Sequence, residues 1–465
     1  MSDLLDSPES ILDDILATAG RPPAGDAVRV HGQDPVLPTI FRMGDLGAAA
    51  IAAAALQSAR IHEKATGTVQ TIDVDIVAAA AAMRSSRQLV VEPPLPTPAL
   101  HSVGTYRTRD DRWFFMQRLF PHHLKRQLEV LGCEPTEESI AAAVARHDGR
   151  WLEDEIIGNG ASAALVRTRE EWAAHPQFAA VSSLPLLEIT KIGDSDPVRL
   201  PAGPRPLSGV RVLDVTRVLA GPTAARTLAE QGADVLRISS PRRADDLRMM
   251  IDTGHGKRST VLDLGVADQR RTMFELVDGA DVYSHGYRPG AMEAFGLRPD
   301  RLADRRPGIV IVSISAFGRL GPWSRRRGFD SVVQSVSGIS LANSATDRPV
   351  HLPGNPLDYI TGYLGAFGAL VALERRAAEG GSYHVEVSLA QTGHYLDHRI
   401  ARLDPALAAD RPPQLSEEVL EGLSLRRQTE FGSLRYLAPV ADFSTTKASW
   451  DLPTVPADHD EPRWQ

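Results

Sequence analysis

Apolar positions follow two rhythms along this chain. Gly47–His62 is an Ala-rich run with helical character. It is followed by the turn ATGT and an alternating stretch, Val69–Val77, that predicts a half-buried strand. RWFFMQRL (Arg112–Leu119) reads as a strand, and Glu137–Ala145 as an amphipathic helix. After residue 207 short apolar runs alternate with helical stretches. Val210–Thr216 leads through AGP into a helix reaching about Gly232, followed by strand DVLRIS. A helix near Gln269–Val277, strand DVYSH and strand GIVIVSIS (Gly308–Ser315) continue the series. Strands and helices alternating at these lengths predict βαβ units around a parallel sheet.

Proline-rich stretches divide the chain. VEPPLPTP (Val91–Pro98) and PAGPRP (Pro201–Pro206) cannot continue a helix and read as linkers. The resulting blocks are an acidic arm over 1–37, with a short helix followed by loose chain, and a helix-and-strand segment over 38–90. A small α+β domain covers 99–200, a Rossmann-like α/β domain 207–400, and a polar wrapping tail 401–465. The chain also echoes itself. Setting Asp45 over Asp358 aligns a Gly/Ala-rich helix, a turn at Gly67 or Gly380, and an alternating strand, VQTIDVDI or SYHVEVSL, without a gap.

Composition narrows the function. The 465 residues suffice for several domains, and the 43% apolar and 24% charged fractions are those of a globular protein. A net charge of −8 argues against a nucleic-acid partner, whose phosphates need a basic face. Cys133 is the single cysteine, which rules out an intrachain disulfide or a Cys-rich zinc site, and no metal site is expected. The N-terminus is acidic where a signal peptide would be basic, and the apolar run Leu46–Ala59 is too short to cross a bilayer. A cytoplasmic protein without membrane partners is the expectation.

Four segments could carry chemistry. In LDVTRVLAGP, Gly221 permits close backbone approach and Pro222 suits the first helical turn, whose free N–H groups attract anions. In TGHGKRSTVLDL, Lys257 and Arg258 either meet phosphates or form a solvated basic pair. In HGYRPG, Tyr287 and Arg288 close a strand at the end where open α/β sheets place ligands. In GNPLDYITGYLG, Asp358 stands at or just before a helix start. There it either caps the helix or, ionised with an ordinary pKa near 3.9, acts as a nucleophile needing no base. His394 and His398 have i,i+4 spacing but no neighbouring acid in the H-E-x-x-H sense, and His122–His123 reads as surface polarity; both pairs are set aside.

Taken together, LDVTRVLAGPTAARTLAEQGADVLRI, GKRSTVLDL, ADVYSHGYRPGAMEAFGL, SISAFGRLGPWSRRRGFDSVVQSVSG and PLDYITGYLGAFGALVALERR resemble the class III CoA-transferases, in that family's order. FRMGDLGAAAIAAAAL, YRTRDDRWFFMQ and VRTREEWAAHPQFAAV resemble its aspartate helix and small domain, and FGSLRYLAPVADFSTT its tail. Members run coenzyme domain, aspartate helix, small domain, tail. Here an aspartate helix and small domain come first, so the order looks like a compressed tandem. The resemblance implies an interlocked-ring architecture in which a coenzyme domain faces a small domain, and one chain here could hold both parts of a site.

By the same resemblance, Asp358 matches the catalytic aspartate, Val218, Leu219 and Ala220 the coenzyme-lining turn, and Tyr287 the adenine-side aromatic. The implied activity moves coenzyme A between carboxylic acids through an aspartyl anhydride and an aspartyl-CoA thioester. Acyl-CoA and acids are then the partners, no cofactor is tightly bound, and the assembly is a monomer or homodimer. The chain departs from the family at Gly265, Ala294, Gly286 and Ser239, where Lys, Arg, Asn and an acid are frequent. It also carries GFD, with Phe329 where the racemase branch has a histidine. A racemase and a non-catalytic coenzyme-binding subunit are the competing expectations.

Overall fold

The structure is a computed structural model that describes residues 4–96, 100–200, 202–243 and 245–465. Seven strands form its central sheet: β1 (Leu187–Gly193), β2 (Arg211–Val215), β3 (Asp234–Ser239), β4 (Lys257–Val261), β5 (Val282–His285), β6 (Val310–Ser315) and β7 (Ser382–Ser388). Their spatial order is β4-β3-β2-β5-β6-β7-β1. All pairs are parallel except β1 with β7, so the expected parallel sheet gains one antiparallel edge. That edge moves a boundary: residues 187–193, assigned to the small block from sequence, lie in the large sheet.

Five helices position the site: α1 (Met43–Thr66), α2 (Pro121–Leu131), α3 (Ala220–Ala229), α4 (Asp330–Val336) and α5 (Pro356–Glu379). The internal echo reappears in three dimensions. α1 and α5 each have 24 residues, begin two residues before the paired aspartates, and end at Gly67 and Gly380 with φ of +79° and +66°. Glycine suits such left-handed positions because it has no Cβ to clash. The strand after α1 is Ile72–Asp75, pairing parallel with Val28–His31 as β7 pairs with β6. Asp75 and Ser388, which the alignment superposes, each end the strand by capping the next helix, at Ala78 N (2.8 Å) and Gln391 N (3.2 Å). The strand is thus shorter than the Val69–Val77 read from alternation, since the Asp75 side chain starts a helix there.

α1 and α5 pack against each other, and nearly every side chain of α5 is buried. α5 is long and apolar enough to span a membrane, but its most apolar 18-residue stretch is buried inside the fold. The small domain is a three-stranded sheet, Val103–Arg107, Trp113–Gln117 and Ala163–Leu165, backed by α2, Glu137–Val144 and Gly149–Gly158. The N-terminal block holds the expected short helix, but the chain after it is more ordered than a loose arm. Ser7 caps the helix Pro8–Thr18, whose Ile11, Leu12, Ile15 and Leu16 are buried, and residues 28–31 form a strand.

Val91 and Glu92, read as the start of a linker, form with Val90 a strand that pairs with Gly432–Leu437; Thr97, Pro98 and Pro201 of the two linkers lie outside the described residues. The tail returns to both halves. Ala441–Phe443 pairs with Ile72–Asp75, and the Trp450 and Trp464 indoles donate to the Arg226 and Leu276 carbonyls.

Candidate active site

The turn after β2 is built under strain. Val218 has φ +72°, a conformation that a β-branched residue adopts only when its surroundings impose it. Two contacts supply the constraint. Asp214 at the end of β2 accepts from Thr216 N (3.1 Å), and Lys257 Nζ bridges Asp214 Oδ2 and the Pro222 carbonyl, each at 2.8 Å. Gly221 has no room for a side chain, because a Cβ there would lie 2.3 Å from Thr216 Cβ. The turn is therefore clamped from behind, and Val218 and Ala220 line a cavity of about 240 Å³.

That role corrects the reading of Lys257 and Arg258. Neither lines the cavity, and neither is solvated. Lys257 is buried inside β4 against Asp214, and Arg258 makes bidentate contacts to Asp234 (2.9 and 3.0 Å) and donates to the Arg463 carbonyl. Burial lowers the Lys257 ammonium to about 8, with Asp214 opposing the shift. Leu219 is also fully buried and absent from the cavity wall.

Asp358, Tyr287 and Arg288 do reach the cavity. Asp358 sits in the first turn of α5, not at its cap; the cap position is Asn355. The carboxyl that serves the helix N-terminus is Asp330, whose Oδ2 accepts from Leu357 N (2.8 Å) and Asp358 N (3.2 Å). The Asp358 carboxyl itself makes no ion pair and accepts no hydrogen bond among the described residues. Burial, and then the neighbouring Asp330, push it well above the ordinary carboxylate range, so the expected ordinary pKa is corrected. Burial likewise raises Asp330 to about 6, against the pull of its N–H donors.

Asp45 has a different setting. It lies in the first turn of α1 and does not cap it, and it pairs with Arg42 at 3.0 Å. Asp34 plays towards α1 the part Asp330 plays towards α5, with Oδ2 accepting from Asp45 N at 2.9 Å. Asp45 is absent from the Asp358 cavity.

Several cavity residues escaped the sequence reading. The small domain of the same chain contributes Phe120, His122 and His123, so the histidine pair is not surface polarity. His123 is buried, with its ring centroid 5.8 Å from that of Phe329. Their adjacency to Pro121, at the N-terminus of α2, was the only local signal. Five arginines also line the wall. Arg217 pairs with Asp245 (2.6 Å) and Arg326 with Glu153 (2.9 Å), whereas Arg243, Arg288 and Arg327 have no carboxylate partner among the described residues. Burial, then the neighbouring Arg288, Arg126 and Arg243, lower Arg327 to about 10. A second cavity of about 190 Å³ shares Tyr287, Arg288, Pro289, Ile314 and Ser315 with the first.

No group of three or more potential metal ligands occurs among the described residues. His394 and His398 stack on each other at 4.4 Å, beside Phe178.

Residues 27–200 and 207–412 match CoA-transferase family III. Over 212 residues the chain is 38% identical to the acetyl-coenzyme A transferase nodX of Hypoxylon pulicicidum, covering 44% of this chain and 36% of that protein. It is 35% identical over 214 residues to the succinyl-CoA–L-malate CoA-transferase alpha subunit of Chloroflexus aurantiacus, covering 42% and 50%. The acetyl-CoA:oxalate CoA-transferase of Acetobacter aceti is 33% identical over 215 residues, covering 43% and 55%. The chain thus spans about half or less of the length of these relatives. Among solved structures, a hypothetical protein of Mycobacterium tuberculosis is 32% identical with a TM-score of 0.40, covering 42% of this chain and 57% of that one. A CAIB/BAIF family protein of Brucella suis is 25% identical with a TM-score of 0.38, covering 49% and 65%.

Proposed function

The chain belongs to CoA-transferase family III, and on that premise we propose that it moves coenzyme A between carboxylic acids with Asp358 as nucleophile. One observation carries the reading. Asp358 presents a carboxyl without ion pair or hydrogen bond among the described residues to the cavity lined by Val218 and Ala220 of the strained turn and by Tyr287. A covalent intermediate needs a nucleophile that is oriented but not already neutralised.

In the proposed reaction a carboxylate oxygen of Asp358 attacks the thioester carbonyl. The tetrahedral adduct collapses with the C–S electron pair leaving as CoA thiolate, which gives an aspartyl-acyl anhydride. The thiolate then attacks the aspartyl carbonyl, expelling the first acid as carboxylate and leaving an aspartyl-CoA thioester. An incoming carboxylate reverses both steps and regenerates Asp358. Each step exchanges one acyl–oxygen or acyl–sulfur bond for another, so neither metal nor redox partner is required.

Arg243, Arg288 and Arg327, which have no carboxylate partner among the described residues, suit the coenzyme phosphates, offsetting the absence of basic side chains at Gly265 and Ala294. Because the small domain that faces the coenzyme segments belongs to the same chain, we propose that one chain suffices for one site. The test is a panel of CoA thioesters and acceptor acids read by mass spectrometry. Transfer that is lost in Asp358→Asn supports the reading. CoA binding without transfer in any combination would favour a non-catalytic binding subunit.

A further inference from the structure

The first turn of α5, which presents Asp358, is completed from outside the helix. Asn355 at its cap gives no side-chain bond, and Pro356 has no N–H. The next two N–H groups, of Leu357 and Asp358, both go to Asp330 Oδ2. The backbone from which the Asp358 side chain projects is therefore held by one oxygen of one carboxyl, and its placement depends on how that carboxyl is turned.

Gln334 sets the turn. It follows Asp330 by one helical turn on α4, the i,i+4 spacing at which a carboxamide meets a carboxylate. Its Nε2 donates to Asp330 Oδ1, and its Oε1 accepts from Leu352 N at 2.7 Å, on the segment that leads into α5. Both oxygens of Asp330 are thus engaged, so rotating the carboxyl breaks bonds on α4 and α5 together. Asp330 is 1% exposed and Gln334 0%, so a bond lost here is not replaced by bulk water. Neither residue lines the cavity. The other charged or titratable groups around Asp330 are Asp358, Arg87 of the helix Ser85–Gln88, and His351, whose Nε2 lies 3.0 Å from the Ser331 carbonyl oxygen. Burial lowers His351 to about 4, which leaves it neutral at working pH.

Resting on the transferase reading, we infer that Gln334 is a positioning residue for the nucleophile: it holds the Asp330 carboxyl in the orientation that carries the first turn of α5, and through Asp330 it sets the place and the charged surroundings of Asp358. Two consequences separate this role from packing alone. Gln334 does not reach the cavity, so its loss falls on kcat rather than on KM. Its N–H also favours the charged form of Asp330. Without it Asp330 takes a proton more readily, and Asp358 then ionises beside a neutral neighbour.

The experiment reads kcat, KM and the acid limb of kcat/KM in Gln334→Met, in Gln334→Glu and in the double variant Asp330→Asn/Gln334→Met, with the CoA thioester and acceptor acid on which wild type is most active. Gln334→Met should lose about tenfold or more in kcat with KM within about twofold of wild type, and its acid limb should move to lower pH by about one unit. Gln334→Glu, which when protonated keeps a donor and an acceptor, should recover most of kcat and keep the limb at or above the wild-type pH. Beside Asp330→Asn the methionine should not move the limb further, because the charge through which Gln334 acts is gone. Gln334→Asn, too short to reach both partners, takes the place of the methionine variant if that one does not fold. A limb that stays at the wild-type pH when the amide is removed, or that moves equally with and without the Asp330 charge, overturns the inference and leaves the transferase reading intact. A wild type that transfers CoA between no donor and acceptor removes the transferase reading, and this inference with it.

Discussion

Asp330 accepts hydrogen bonds from the backbone N–H groups of both Leu357 and Asp358, so two carboxyls meet at the first turn of one helix while only Asp358 opens to the cavity wall. The donors hold Asp330 in place. Its charge in turn disfavours a second charge on Asp358. A nucleophile held in this way is more basic than an ordinary aspartate, and a carboxylate that is harder to ionise is also a better nucleophile once ionised.

Asp358→Asn should abolish transfer, with a loss of several orders of magnitude in kcat and an unchanged far-UV spectrum. The amide is nearly isosteric, and the Asp330 bonds run to backbone rather than to the Asp358 side chain. Hydroxylamine added during turnover should modify the wild-type peptide that contains Asp358 and should not modify that peptide in the variant. An Asn variant that turns over normally would remove Asp358 from the mechanism.

The pH profile follows from the same pair. Asp358 must be ionised to attack, and its folded pKa lies above the ordinary value near 3.9. The acid limb of kcat/KM should therefore fall well above pH 4, and Asp330→Asn should move it to lower pH. Stability has the opposite sign. Asp330 has a folded value of about 6, so between about pH 4 and 6 the folded state holds more protons than the unfolded, and stability from this group is lost as pH rises. The wild-type Tm minus that of Asp330→Asn should therefore be more favourable to wild type at pH 5 than at pH 7.5. A wild-type acid limb near pH 4 would count against this account of Asp358.

Lys257 and Arg327 should separate structure from binding. Lys257→Met leaves Asp214 charged and buried without its partner, which costs about 3–5 kcal/mol. Urea unfolding should show that loss. Arg327→Ala removes a cation that has no carboxylate partner among the described residues, so stability should hardly change while CoA affinity falls about tenfold or more. Titration calorimetry at two salt concentrations distinguishes them, and the reverse pattern would return Lys257 to the coenzyme site.

Much of the parallel sheet was readable because its strands are short apolar runs closed by local turns. DVLRIS and β3 coincide, and β5 and β6 lie within the runs read from sequence. What escaped depends on partners distant in the chain. Lys257 and Arg258 look like a solvated pair until β4 sets them against Asp214, Asp234 and the returning tail. His123 follows a proline and another histidine, and nothing local reveals that Phe329 packs on it from across the cavity. The short N-terminal helix was read, but the acidic composition around it hid that Ile11, Leu12, Ile15 and Leu16 form a buried face and that a strand follows.

No exchange of an α-proton should occur. Phe329 carries no proton, and His123, lowered to about 3, is too weak a base for a carbon acid at neutral pH. A chiral 2-methylacyl-CoA incubated with the protein in D₂O should keep both its hydrogen and its configuration. Deuterium entering at catalytic rates would assign the chain to the racemase branch.

The last prediction concerns Asp45, the counterpart of Asp358 in the first half. Both aspartates stand in the first turn of a 24-residue helix, each with a second carboxyl bonded to the backbone N–H beside it. Their surroundings differ in two respects that matter for chemistry. Asp45 is held by Arg42 at 3.0 Å, which neutralises the charge a nucleophile would use. It is also absent from the cavity to which the Val218 turn, Tyr287 and Asp358 contribute, and a thioester must come within about 3–3.5 Å of an attacking oxygen. Asp45→Asn should therefore turn over normally. Its stability should change by no more than about 1 kcal/mol, because losing the Arg42 pair is offset by no longer burying a charge. Asp34→Ala should cost more, on the order of 1–3 kcal/mol, since it strips acceptors from the Asp45 and Val36 N–H groups. Thermal melts and the transfer assay on the same two variants decide the assignment. If Asp45→Asn stops transfer in a protein that still melts cooperatively while Asp358→Asn is tolerated, the chemistry belongs to the first half.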